Sequence, residues 1–157
     1  MHLNDDSVLS VVDFAVGNLG VRHGQFAAPD PPILAKLMRD PVVVVGHTEC
    51  GGAKHCLKAA QNPSHESPTT PLLRWLEPLT QLARSLDLGS LPHEEGLTKL
   101  VKSNVMEQVR NLAKTKTIKD VWGRGEDLWV HGLIYDLSTG RFQSDFEATL
   151  ERSYLQS

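Results

Sequence analysis

The sequence predicts an α/β protein, with a mostly parallel β-sheet flanked by helices in one domain over residues 1–157. Two mainly apolar runs, at 42–45 and 128–136, are bounded by turn residues, as expected of buried strands. Between them, apolar residues recur at three- and four-residue steps, as in helices that pack one face on a core. Strands that alternate with helices in this way are typical of a parallel sheet.

The chain starts with a predicted amphipathic helix over 7–19, which Gly20 ends. The segment 24–41 follows and contains Pro29-Asp30-Pro31-Pro32, which excludes a regular element at that point. A connector of this length before a strand is uncommon in a compact α/β unit.

The rest of the chain alternates strands and helices. The valine run at 42–45 predicts a strand, and the residues 53–61 after it predict a helix. A second helix is expected from Pro71 to about residue 86, kinked or divided at Pro78. The other expected elements are the longest helix over 93–114, a short helix over 118–122, a strand over 128–136 and a short hairpin partner at 141–143.

Composition bounds the class of function. The 157 residues carry a net charge of −3, with a pI near 6.1, which gives no electrostatic reason to expect nucleic acid or an anionic membrane as a partner. No apolar run approaches the roughly 20 residues of a membrane-spanning helix. The acidic start lacks the pattern of a signal peptide, and two cysteines make no disulfide framework. We therefore expect a cytoplasmic protein with free thiols.

His47 and Cys50 are the candidate metal ligands. They follow the valine strand directly, at the end of a strand where open α/β sheets bind their ligands. Imidazole and thiolate are both good zinc ligands, and the predicted helix after Cys50 favours the thiolate because its N-terminus carries partial positive charge. Gly51 and Gly52 leave room for a small substrate. The spacing His-x-x-Cys alone is equally compatible with a structural turn.

The motif resembles a known family. The segment GHTECGG at 46–52, after a valine strand, is similar to the second zinc-ligand motif of β-class carbonic anhydrases. The sequence resembles fungal members of that class. The likeness extends in matching order over 7–23 and 41–145. The segments that carry it are SVLSVVDFAV at 7–16, WLEP at 75–78, NVMEQVRNL at 104–112 and VHGLIYD at 130–136.

The resemblance implies a zinc enzyme that interconverts CO₂ and bicarbonate. In such an enzyme zinc lowers the pKa of a bound water to near 7, so that zinc-bound hydroxide attacks CO₂ at neutral pH. The family binds zinc through Cys, His and Cys, and the His and the second Cys correspond to His47 and Cys50. The resemblance also implies self-association, as a homodimer or a larger assembly. In the family dimer the N-terminal helices embrace the partner subunit, and a chain without the N-terminal segment would lose that embrace.

The first cysteine of the family motif, Cys-x-Asp-x-Arg, has no counterpart in the sequence. Cys56 is expected to be a small core residue, because it lies nearly two helical turns beyond Cys50. His2, Asp5 and Asp6 are formal alternatives as a third ligand, without a specific argument for any of them.

We therefore expect an N-terminally truncated member of the family, in which 24–41 is an atypical insertion. A retained intron or a faulty gene model is a hypothesis that would explain both features. Two other functions stay open: a catalytically inactive homologue that serves at most as a dimerisation partner, and a variant that hydrolyses carbon disulfide with the same ligands.

Overall fold

The computed structural model describes residues 6–18, 41–62 and 69–156. Within these ranges the α-helices are α1 (Asp6–Val12), α2 (Gly51–Gln61), α3 (Pro71–Ser85), α4 (His93–Ala113) and α5 (Lys116–Gly123). The strands are β1 (Pro41–His47), β2 (Trp129–Asp136), β3 (Arg141–Phe142) and β4 (Ala148–Leu150). A π-helical segment, Asp13–Asn18, continues α1, and 3₁₀ turns occur at Leu88–Ser90 and Arg152–Gln156.

The sheet is built on one parallel pair. β1 and β2 run parallel over seven residue pairs, from Pro41 opposite Trp129 to His47 opposite Tyr135. β3 and β4 each pair antiparallel with β2, over two and three residue pairs. In the part of the chain that the structure describes, β1 pairs with β2 alone and is therefore an edge strand.

Local sequence signals explain where the helices begin. The Thr70 hydroxyl accepts the backbone N–H of Leu73 at 3.2 Å, and Pro71 occupies the first helical position of α3. Thr115 caps α5 in the same way, by accepting the N–H of Ile118. Each cap satisfies a backbone donor that has no partner inside its helix.

Helix α4 packs on the β1–β2 pair through two glycines. A Cβ built at Gly46 would lie 2.5 Å from Val105 Cγ2, and one at Gly132 would lie 2.7 Å from Val105 Cγ1 and 2.8 Å from Val109 Cγ2. Real Cβ atoms do not approach other carbons so closely, so α4 lies nearer to the sheet than any side chain at these positions would allow. Glycine at 46 and 132 therefore sets the distance between helix and sheet.

The core has two parts on either side of this contact. One lies between α2, α3 and the first half of α4, and the other between α5, β2 and the second half of α4. Trp122 belongs to the second part, where its indole N–H donates to the carbonyl of Leu128 at 2.8 Å. Cys56 belongs to the first part and is fully buried, which confirms the prediction for that residue.

The structure confirms the α/β class with helices around the sheet, and the sheet is mixed because β3 and β4 are antiparallel. The predicted N-terminal helix appears as α1 and its π-helical continuation up to residue 18. The prediction that Pro78 could divide a helix is wrong, because α3 continues through it. Buried side chains before and after Pro78, such as Leu76 and Leu79, hold both halves of α3 on the core and offset the missing hydrogen bond.

Some sequence predictions concern residues outside the described ranges. The candidate insertion at 24–41 does so except for Pro41, as does the end of the predicted first helix at Leu19. In the described ranges no helix has both the length and the apolar character required to cross a membrane.

Candidate metal site

The candidate site lies where β1 ends and α2 begins. His47 is the last residue of β1, Thr48 and Glu49 form a turn, and Cys50 is the N-cap residue of α2. Glu49 adopts a left-handed backbone conformation with φ of 58°, which is uncommon for a residue other than glycine. This conformation lets the chain turn within two residues, so that both predicted ligands lie at the same end of the strand.

The imidazole of His47 is exposed and held by its neighbour. Its Nδ1 lies 2.8 Å from the backbone carbonyl oxygen of Thr48. A carbonyl oxygen only accepts hydrogen bonds, so Nδ1 must carry the proton in this contact. In the neutral ring Nε2 then has a free lone pair, which is the arrangement that a histidine needs to bind a metal through Nε2.

The two thiols differ sharply in their surroundings. Cys50 is a free, partly exposed cysteine, and a Cβ built at Gly52 would lie 4.0 Å from its Sγ. Cys56 is buried, its Sγ lies 3.6 Å from the carbonyl oxygen of Leu76, and burial raises the pKa of its thiol. Cys50 is therefore the more accessible of the two thiols, and its role as a metal ligand stays a prediction.

The donor set fits two ligands of a zinc site. Nε2 of His47 and the thiol of Cys50 are the donor types that zinc prefers. Among residues 6–18, 41–62 and 69–156 no cluster of three or more His, Cys, Asp and Glu side chains could hold a metal ion. The formal alternatives His2 and Asp5 lie outside these ranges, as does the side chain of Asp6.

A cavity of about 460 Å³ opens beside the turn. It lies between the carboxyl ends of β1 and β2 and the first turns of α4. Its walls are apolar at the base and carry hydroxyl and carboxylate groups at the rim, and the lining residues are Thr48, Glu49, Glu94, Leu97, Thr98, Val101, Ile134, Asp136, Ser138 and Gln143. The predicted ligands do not line it, so the cavity adjoins the candidate metal site without containing it.

The turn after β2 closes one side of this region. The Asp136 carboxylate accepts the Ser138 hydroxyl at 2.7 Å and the Ser138 N–H at 2.8 Å. These bonds from Ser138, with smaller contributions from Thr139 and the Thr48 hydroxyl, hold the pKa of Asp136 below its usual range. On the other side, Glu49 forms an ion pair with Lys54 at the surface.

Comparison with known proteins identifies the family. The family model described as "Carbonic anhydrase" matches residues 34–142. The chain belongs to the carbonic anhydrase family. A β-carbonic anhydrase structure from Aspergillus fumigatus is similar at 30% identity with a TM-score of 0.64, over 96% of this chain and 58% of that one. The chain is thus a β-class member, as the resemblance of its motifs implies.

Other carbonic anhydrases support the assignment. The enzyme of Emericella nidulans is 28% identical over 137 residues, which is 87% of this chain and 50% of the relative. A β-carbonic anhydrase of Sordaria macrospora, described as tetrameric, has the same fold at 24% identity, with a TM-score of 0.63 over 92% of this chain and 62% of that one. The chain spans about half the length of the curated relatives it matches.

Sequence reasoning found the two candidate ligands but missed what surrounds them. The hydrogen bond that fixes the His47 ring is formed with the neighbouring residue, Thr48. Thr48 in turn contacts the turn after β2, where Leu137 lies almost 90 positions further along the chain. The GHTECGG and VHGLIYD segments were each recognisable in the sequence. The sequence did not predict that they contact each other, because nothing in either segment specifies the register in which β1 pairs with β2.

Proposed function

We propose that this chain carries part of a zinc-dependent carbonic anhydrase site, in which His47 and Cys50 bind zinc for the reversible hydration of CO₂ to bicarbonate. The observation that carries the proposal is the hydrogen bond from His47 Nδ1 to the Thr48 carbonyl, which leaves the Nε2 lone pair available, three residues before the partly exposed thiol of Cys50. Membership of the carbonic anhydrase family supplies the reaction class.

Each residue has a distinct task in this proposal. His47 Nε2 and the Cys50 thiolate hold the metal, and Thr48 orients the imidazole. A side chain at Gly51 would meet nothing within 4 Å, so the first turn of α2 is open to a small molecule. Zinc, when bound, supplies Lewis-acid chemistry that makes water a nucleophile at neutral pH.

The direct test is zinc content together with stopped-flow CO₂ hydration on the purified 157-residue chain. We expect about one zinc per chain. His47→Ala and Cys50→Ser should each lose zinc and hydration activity, because each removes a metal donor. The matched controls are His55→Ala, which removes an exposed histidine of α2, and Cys56→Ala, which removes the buried thiol. Both controls should retain zinc.

The inactive homologue is the second candidate, favoured by the absence of a third donor beside His47 and Cys50 in the described ranges. A folded chain without zinc and without hydration activity would establish it and overturn the zinc proposal. Hydrolysis of carbon disulfide without hydration of CO₂ would instead select the carbon disulfide hydrolase variant.

Self-association belongs to the same proposal. A relative of the same fold is described as tetrameric, and the edge strand β1 of this chain carries an exposed apolar side chain, Val45. A third zinc donor could also come from a second chain. Sedimentation with and without zinc tests this directly, because a shared site would make the dimer zinc-dependent.

A further inference from the structure

Thr48 makes contacts in three directions. Its N–H donates to the carbonyl of Tyr135 at 2.9 Å and so extends the β1–β2 pairing beyond the end of β1. Its hydroxyl oxygen accepts the N–H of Leu137 at 3.0 Å. Its carbonyl oxygen accepts the Nδ1–H of His47 at 2.8 Å. One residue thus joins the candidate metal ligand to the turn after β2.

The turn after β2 is also held by hydrogen bonds of its own. Asp136, next to Leu137, accepts the backbone N–H and the hydroxyl of Ser138, which keeps the turn in one conformation. The Leu137 N–H therefore points at a fixed place, and the Thr48 hydroxyl is held against it. Because both the N–H and the hydroxyl of Thr48 contact β2 and its turn, the direction of its carbonyl depends on these contacts.

The direction of this carbonyl matters for the imidazole. If the carbonyl moved away, Nδ1 would lose its acceptor, and the ring would be free to place its proton on Nε2. A metal would then have to displace that proton and reorient the ring before binding. The hydroxyl of Thr48 bonds to the turn after β2, so its influence on the imidazole is indirect.

We propose that Thr48 is a positioning residue, which uses its hydroxyl bond to the turn after β2 to keep the His47 proton on Nδ1 and Nε2 ready for metal. This inference rests on the proposed function, because keeping Nε2 free matters only if His47 binds a metal. Its central claim concerns the tautomer of His47, which exists and can be measured without metal. The proposal and the proposed function can therefore fail separately.

The test compares Thr48→Val, which keeps the shape of the side chain without a hydroxyl, with Thr48→Ser, which restores the hydroxyl. Long-range proton–nitrogen NMR of the full chain, with metal removed by chelation, reports which ring nitrogen of His47 carries the proton. We expect Nδ1–H in the native chain and in Thr48→Ser, and a mixture of both tautomers in Thr48→Val. Thr48→Ala serves as a second variant in case the valine side chain perturbs the fold.

A control and a second readout sharpen the result. Thr98→Val removes another exposed hydroxyl from the same cavity and should leave the His47 tautomer unchanged. In competition with a chromophoric chelator, Thr48→Val should bind zinc about tenfold more weakly than Thr48→Ser, the scale typical of outer hydrogen-bond partners.

A Thr48→Val chain that keeps His47 wholly as Nδ1–H would overturn the positioning role. So would a Thr48→Ser chain that behaves like Thr48→Val. If the native chain binds no zinc but the tautomer shifts as expected, the zinc proposal fails and the positioning inference stands.

Discussion

Cys50 and Cys56 lie six residues apart and occupy opposite kinds of environment. Cys50 is partly exposed at the N-terminus of α2, whereas Cys56 is fully buried against α3. Burial raises the pKa of Cys56, because a thiolate loses its hydration there. At neutral pH Cys56 is thus both inaccessible and protonated.

This difference predicts selective alkylation. Iodoacetamide should modify the native, metal-free chain once, at Cys50, because the thiolate is the reactive species and Cys56 supplies almost none. Intact-mass spectrometry with peptide mapping measures the site. Cys50→Ser should remain unmodified until it is denatured, and Cys56→Ala should react like the native chain. Fast modification of Cys56 in the folded chain would contradict the buried assignment.

At the scale of elements, the central contact is that of α4 with the sheet. Gly132 of β2 faces Val105 and Val109 of α4 and also lies close to Ala148 of β4. A methyl group there would be 3.2 Å or less from all three side chains. Because valine methyl groups are fixed close to the backbone, the helix rather than the side chains would have to move.

Gly132→Ala should therefore destabilise the chain by about 1–3 kcal/mol, the usual cost of overpacking a core. Urea denaturation followed by circular dichroism measures the change. Gly123→Ala is the matched control, because a Cβ at position 123 meets nothing within 4 Å at the end of α5. That variant should be neutral or slightly more stable. Equal destabilisation by both variants would show that the contact of α4 with β2 is not what limits position 132.

The sequence predicted the elements well and their contacts poorly. Apolar periodicity placed α4 within one residue of its observed end, because one face of that helix is continuously buried. The rule that proline breaks helices did not hold as a division at Pro78, where packing on both halves of α3 outweighs the local effect of proline. Close approaches such as Gly132 to Val105 depend on tertiary packing, and a single sequence does not specify them.

At the scale of the molecule, β1 is the exposed margin of the sheet. In the described ranges it pairs only with β2, and Val45 is 51% exposed. A strand edge with apolar side chains and unpaired backbone groups favours pairing with another chain. The isolated chain should therefore associate through this edge.

We expect sedimentation velocity to show association that increases with concentration, and Val45→Lys to reduce it, because a charge on an edge strand opposes pairing. Val11→Lys introduces the same charge at an exposed position of α1, outside the sheet. If Val11→Lys lowers association as much as Val45→Lys does, the interface lies on the helix rather than on the strand edge.

The close packing of α4 on Gly46 also affects the cavity at the ends of the strands. Leu97 and Val101, which line the cavity, lie on α4 within about two turns of Val105. A Cβ at Gly46 would contact both Val105 and Val101. A methyl group at position 46 would therefore push α4, which forms one wall of the cavity, away from the sheet. The width of the cavity is thus governed by a position outside its lining, and a wider cavity could be engineered without changing any residue that a ligand would touch.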